Sequence, residues 1–234
     1  MGPEPLQSVA VRLAAARRGI AELRPQYDAA LRAKSLPAEI AHAVERVVTD
    51  QRPVLDYMAH RLLEVAERSR TRQSQYPLEQ SAAAFRAQQE RRLPGLAAAR
   101  PDLLAAVELR QPYQPGYDWL TRLNTLANDN KHVDLVAQTR VEEQRNEVRS
   151  AGGSVSWGPG VTFGGGVSVG GAPIDPRTQR PAYLPPGTAY RETVYVDWLL
   201  PDGRSALGSL EDYQRELVQL VADLASAAAL RWPV

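Results

Sequence analysis

The chain has 234 residues, 44% of them hydrophobic and 24% charged, with a formal net charge of +1. That length can bury a sizeable core, and so even a charge balance supplies no bulk attraction to nucleic acid or an anionic membrane. The absence of cysteine excludes disulfides, zinc–thiolate centres and thiol nucleophiles.

The first thirteen residues, MGPEPLQSVAVRL, lack the apolar core of a signal peptide, and Leu6 occupies the place where a myristoylation signal needs Ser or Thr. No apolar run reaches transmembrane length. The expectation is a soluble, cytoplasmic protein with no membrane partner.

Residues 5 to about 70 read as two long helices. Leu6, Val9, Leu13, Ile20 and Leu23 form an apolar stripe at helical spacing. Ser35-Leu36-Pro37 breaks the pattern, with a cap candidate and a proline suited to a first turn. Ile40, Val44, Val47, Gln51, Val54, Met58, Leu62 and Val65 then alternate by four and three, as in a bundle seam. Pro53 falls within this run and should interrupt it. Residues 71 to 118 form a connecting zone with short helices at 82–92 and 101–109, broken by Pro94-Gly95 and by Gln111-Pro112-Tyr113. A further helix should run from Trp119 to about Leu135, with Trp119, Leu123, Leu126, Asn130 and Val133 on one stripe. Asn130 is thereby aimed at the core, where it needs a partner.

The composition then changes. Residues 136–148 suggest a long strand, and residues 151–173 alternate glycine with Val, Ser, Thr and aromatics, as short strands joined by glycine turns do. Residues 190–200 form the clearest strand, and Pro201-Asp202-Gly203 a turn. Ser209-Leu210-Glu211-Asp212 should open a last helix reaching about Leu230, with Leu217, Leu220, Val221 and Leu224 inward. The expected architecture is mainly α: a helical bundle over 1–135, a β-rich, glycine-rich insertion over 136–205, and a C-terminal helix over 206–234 packing back on the bundle.

Few residues suggest chemistry. The glycine run lacks GxxxxGK[ST] and GxGxxG spacing, so it is not a phosphate loop. The three histidines, His42, His60 and His132, show no i, i+4 pairing, so no metal is expected, and His60 with Glu64 reads as a surface pair. No nucleophile elbow exists, and Glu142-Glu143 would point to opposite sides of a strand. No cofactor is implied. Two arginine-rich stretches, Arg68/Arg70/Arg72 and Arg86/Arg91/Arg92, are expected to be solvated surface. What remains is a polar line, Arg52, Asp56 and His60, at successive i, i+4 steps, with Asn128 and His132 as a matching pair on the later helix. Packed together, the two helices would bring Arg52 and Asp56 near Asn130, Lys131 or His132. In the structural reading, Asp56 satisfies Arg52 and Asn130 joins them. In the functional one, His132 is a general acid or base, with Arg52 or Lys131 facing a phosphate.

Four pieces of this sequence carry a resemblance: Arg52-Pro53-Val54-Leu55-Asp56-Tyr57-Met58-Ala59; Tyr76-Pro77-Leu78, followed by Phe85; Gln111-Pro112-Tyr113; and the Leu-Asn…Asn-Lys-His run. In order and spacing they resemble a group of bacterial helical proteins with the pattern RxALDYLA, FPI, QPY and LNxxDKHR. That group is similar to the HEPN superfamily, helical proteins that often dimerise and whose active members are metal-independent ribonucleases with an Arg-x(4–6)-His motif. The resemblance implies a HEPN-like bundle, and His132 matches the superfamily's histidine. The positions for its arginine hold Thr125, Leu126 and Ala127, and Arg122 lies too far back. Asn130 replaces the Asp of DKHR and Val133 its Arg. Three functions follow as expectations. The first is a non-enzymatic binding module, homodimeric or taking a protein partner on the 151–173 hairpins. The second is a metal-independent ribonuclease of toxin or defence type, the one reading that needs RNA, using His132 with Arg52 or Lys131. The third is a structural assembly subunit.

Overall fold

The computed structural model describes residues 6–231 apart from 34, 36, 133–138 and 159, and leaves the side chains of 130–132, 139–144 and 193–196 undescribed. The protein is mainly α with a β-rich region, divided into two compact units, Met1–Gln138 with Leu200–Val234, and Thr139–Leu199. Residues 136–138, where the expected insertion begins, lie outside the described residues, and the 200–205 turn falls with the helical unit.

The helical unit rests on α1 (Gln7–Ala33), α2 (Ala38–Gln51), α3 (Pro53–Val65) and, from the far end of the chain, α8 (Ala206–Ala227). Val9, Leu13, Ala16, Ile20, Leu23, Tyr27 and Ala30 are buried along α1 in strict alternation of four and three, the spacing that keeps one seam facing neighbouring helices. This seam packs on α2, α3 and α8. Leu210, Tyr213, Leu217, Leu220, Val221 and Leu224 are the matching buried face of α8.

The expected second helix is two. Pro53 has no N–H to give the Thr49 carbonyl, so the ladder breaks after the Arg52 N–H bond to the Val48 carbonyl (2.9 Å). Arg52 keeps α-helical angles (φ −59°, ψ −43°), and Pro53 starts α3 in the first turn, where its missing N–H costs nothing. The seam therefore continues across the break, with Ile40, Val44, Val47, Gln51, Val54, Met58 and Leu62 all buried.

In the connecting zone, α4 (Ala82–Arg92) is capped by Ser81, whose Oγ accepts from the Ala84 N–H at 3.2 Å. Short α5 (Leu96–Ala99) follows Gly95, whose φ of +69° explains the glycine. Next come α6 (Pro101–Glu108) and α7 (Trp119–His132). Trp119, Leu123 and Leu126 are buried on α7 as expected; Val133 and the proposed extension to Leu135 lie outside the described residues. The C-terminal helix starts three residues before the expected Ser209. Its cap is Ser205, whose Oγ accepts from the Gly208 N–H at 3.0 Å, and Ser209 is buried instead. Among the described residues no helix is long and apolar enough to cross a membrane.

In the other unit, β1 (Thr139–Ser150) is the centre of an antiparallel sheet between β2 (Gly153–Trp157) and β6 (Ala189–Leu199). Thr139 opposes Leu199, and the β1–β6 register then runs unbroken to Arg149 opposite Ala189. A second small sheet joins β3 (Ser168–Val169), β4 (Ala172–Asp175) and β5 (Arg180–Pro181). The β3–β4 hairpin turns on Gly170 and Gly171, both at positive φ, the backbone that a two-residue hairpin loop requires. Val148, Trp157, Val169, Ala172 and Ile174 form the core of this unit, with Phe163 and Tyr190 against it.

Candidate functional site

The polar residues of α2–α3 are engaged in holding the chain together. Arg52 stands at the Pro53 break, where its side chain crosses to α7 and Nε donates to Asn124 Oδ1 at 2.9 Å. Its Nη1 lies 3.1 Å from Asp56 Oδ1, one turn on. That contact is an ion pair without hydrogen-bond alignment, since Nη1 makes no hydrogen bond. Only 12% of the Arg52 side chain is exposed, so these two partners compensate a charge that is largely removed from water.

Asp56 reaches the connecting zone: its Oδ1 accepts the Tyr76 N–H at 3.1 Å. Tyr76 is fully buried, and its hydroxyl donates to the Arg110 carbonyl at 3.3 Å. Burial raises the Tyr76 phenol well above the ordinary tyrosine range, with Arg110 opposing the shift. Arg110 in turn donates through Nη2 to Asp223 on α8 at 3.1 Å. Gln111 is wholly buried; its Oε1 accepts the Glu79 N–H and its Nε2 donates to the Val107 carbonyl, each at 3.2 Å. Gln80 closes the circuit by donating to Thr121 Oγ1 on α7 at 2.9 Å.

His60 completes the polar line but turns away from α7. Its Nε2 is 2.9 Å from the Ser74 carbonyl. A carbonyl only accepts, so Nε2 carries the proton and Nδ1 presents a lone pair toward Arg70 Nη1, 3.5 Å away. The expected His60–Glu64 pair gives way to separate partners, because Glu64 pairs with Arg61 and, at 3.9 Å, with Arg70.

The four pieces that carried the sequence resemblance are thus the four corners of one network. Arg52 and Asp56, the Tyr76–Glu79 segment, Gln111 and Asn124 are joined by hydrogen bonds and by the Arg52–Asp56 ion pair, which together pin two loops and α7 to α3. The sequence reading missed Asn124. It expected the polar partner at Asn130, whose side chain lies outside the described residues together with those of Lys131 and His132. Asn124 directly follows Leu123 on α7 and is half-buried beside that stripe, a position that the Leu-Asn pair marks in the sequence. Asn128, the expected i, i+4 companion of His132, is exposed.

Arg68, Arg70, Arg72 and Arg91 are exposed as expected, while Arg92 is half-buried. Among the described residues no group of His, Asp and Glu is placed to hold a metal ion. Comparison with family models, with curated proteins and with solved structures gave no match.

Proposed function

We propose that this protein is a HEPN-like helical interaction module that works by binding rather than by catalysis. The observation that carries this reading is the commitment of Arg52: its Nε is bonded to Asn124 and its charge is held by Asp56. Bonded to the facing helix and with only 12% of its side chain exposed, this guanidinium serves helix register and is closed to a phosphate approaching from solvent. Asp56 and His60 are equally engaged, with the Tyr76 N–H and the Ser74 carbonyl. The absent motif arginine points the same way.

The β-rich unit is the natural contact surface. Of the large apolar side chains exposed among the described residues, Val155, Val161, Tyr183 and Leu184 lie in it, and the first two belong to the 151–173 hairpins. Exposed apolar groups concentrated on one small unit favour a protein partner or a second copy of the chain.

The test combines light scattering after size exclusion with RNA cleavage in EDTA, using wild type, His132→Ala and a Val155→Ser/Val161→Ser variant. A binding module gives equal background cleavage for wild type and His132→Ala. If it self-associates through the hairpins, only the serine variant loses the dimer. RNA cleavage by wild type that His132→Ala abolishes would establish the ribonuclease reading instead.

A further inference from the structure

A cavity of about 440 Å³ opens between the first two turns of α1 and α3, with Arg70 of the segment after α3 also in its lining. Three arginines enter it from three separate elements, Arg12 from α1, Arg61 from α3 and Arg70 from that segment, together with Tyr57 and His60. Two carboxylates answer them. Glu64 lines the cavity and pairs with Arg61 and Arg70, whereas Asp50 on α2, outside the lining, holds Arg12 at 2.5 Å. The Arg12 guanidinium also meets the Tyr57 hydroxyl.

Two further facts give the cavity its character. The buried Nε of Arg61 has no hydrogen-bond partner among the described residues, and an unmet buried donor is costly unless a ligand or water meets it. Gln7, Ser8 and Val9 of the first turn of α1 line the same space, and that turn has no acidic side chain. The partial positive charge of a helix start adds to the field there. The lining therefore offers one surplus positive charge, after both carboxylates are counted, and planar guanidinium donors suited to tetrahedral oxyanions.

We infer that this cleft binds a small phosphate monoester, with its phosphate among Arg12, Arg61 and Arg70 and an apolar body along Tyr57 and Val9. A carboxylate would leave several guanidinium edges unused, and a bare phosphate is much smaller than the cavity. The inference is independent of the proposed interaction role, because Arg12, Arg61 and Arg70 belong neither to the Arg52–Asn124 network nor to the β-rich unit.

The test is calorimetric titration of the full chain with phenyl phosphate, inorganic phosphate and phenol in low-salt buffer. Wild type should bind one equivalent of phenyl phosphate, inorganic phosphate should bind more weakly, and phenol should give no saturable heat. Arg61→Gln/Arg70→Gln should weaken phenyl phosphate at least tenfold, while Arg215→Gln, a substitution on the exposed face of α8, should leave it unchanged. Should the double variant lose its helical circular dichroism, Arg70→Gln alone, in the exposed segment after α3, carries the same expectation of weaker binding. No saturation by phenyl phosphate up to about 10 mM, tenfold weaker than a millimolar Kd, would overturn the inference, as would equal weakening by Arg215→Gln.

Discussion

Arg52 Nε and Asn124 Oδ1 meet at 2.9 Å although 72 residues separate them in the chain. The bond joins the one break in the α2–α3 seam to the middle of α7. Proline ends the backbone ladder at that break, and the arginine beside it ties the weak point to the facing helix. Asp56, one turn later, takes the other edge of the same guanidinium and also the backbone of Tyr76. Helix packing, loop placement and charge compensation thus meet on one side chain.

Removing Asn124 should therefore act on stability. Asn124→Ala leaves the Arg52 Nε without its acceptor in a site that is mostly closed to water. A hydrogen bond to a charged group contributes about 1.5–3 kcal/mol, and urea unfolding should show a loss in that range with an unchanged m value. Arg52→Met, which leaves the half-buried Asp56 carboxylate without its counter-ion as well as Asn124 without its donor, should cost at least as much as Asn124→Ala. An Arg52→Met loss smaller than the Asn124→Ala loss would contradict the structural role given to this pair.

Much of this was legible in the sequence, for reasons that particular residues make clear. The alternation from Ile40 to Leu62 marked a buried seam because helix geometry repeats on the scale of local sequence. The polar partner of Arg52 was harder to name. Asn124 and Asn130 are both asparagines on α7, and their spacing alone does not say which of them the helix crossing brings to Arg52. Ser205 and Ser209 both precede apolar residues, Ala206-Leu207 and Leu210, so local spacing alone does not say which serine opens the last helix; the bond from the Gly208 N–H to Ser205 Oγ decides it. The Arg12–Arg61–Arg70 cleft was invisible, since it depends on three elements meeting in space.

Gly19 shows how a helix crossing can reverse a propensity. In an isolated helix, alanine is favoured over glycine by about 1 kcal/mol. A Cβ at Gly19 would lie 2.8 Å from Val47 Cγ2, and Val47 is a buried β-branched side chain with little rotamer freedom. Gly19→Ala should therefore destabilise, by about 1–3 kcal/mol as overpacking does. Combined with Val47→Ala, its cost should fall below the sum of the single losses by about 0.5–3 kcal/mol. Thermal unfolding of the four proteins in this cycle measures both quantities, and a more stable Gly19→Ala would show that α1 and α2 are not this close.

High pH should weaken the helical unit through its buried phenols. Burial raises Tyr76 and Tyr213 above the ordinary tyrosine value, in Tyr213 against an opposing pull from Arg122. A phenol whose folded pKa is raised stabilises the fold fully below the unfolded value, near pH 10, and loses that contribution as pH rises toward the folded value. Stability should thus be level with respect to these groups up to about pH 10. Above it, the loss should approach about 1.4 kcal/mol per pH unit for each phenol. Tyr213→Phe should show a shallower alkaline loss than wild type in urea unfolding at stepped pH. Identical slopes would remove Tyr213 from the account.

The β-rich unit should be removable. Its first and last residues, Thr139 and Leu199, are opposed in the β1–β6 ladder, and directly opposed antiparallel residues lie about 4.5–5.5 Å apart at their Cα atoms. Two to four added residues, each reaching about 3.3–3.6 Å, can span that gap. The unit also has its own core around Trp157, whose ring meets Phe163 edge-on at 5.2 Å and whose indole N–H donates to the Gln179 carbonyl at 3.1 Å. Joining Gln138 to Leu200 through a short Gly-Ser linker should leave a bundle that keeps its helical circular dichroism and unfolds in one cooperative step. Its urea m value should fall with the surface removed. Broad, non-cooperative unfolding of the excised protein would mean that α7 and α8 need the β-rich unit to hold their places. In that case the unit is part of the bundle's stability and not only its contact surface.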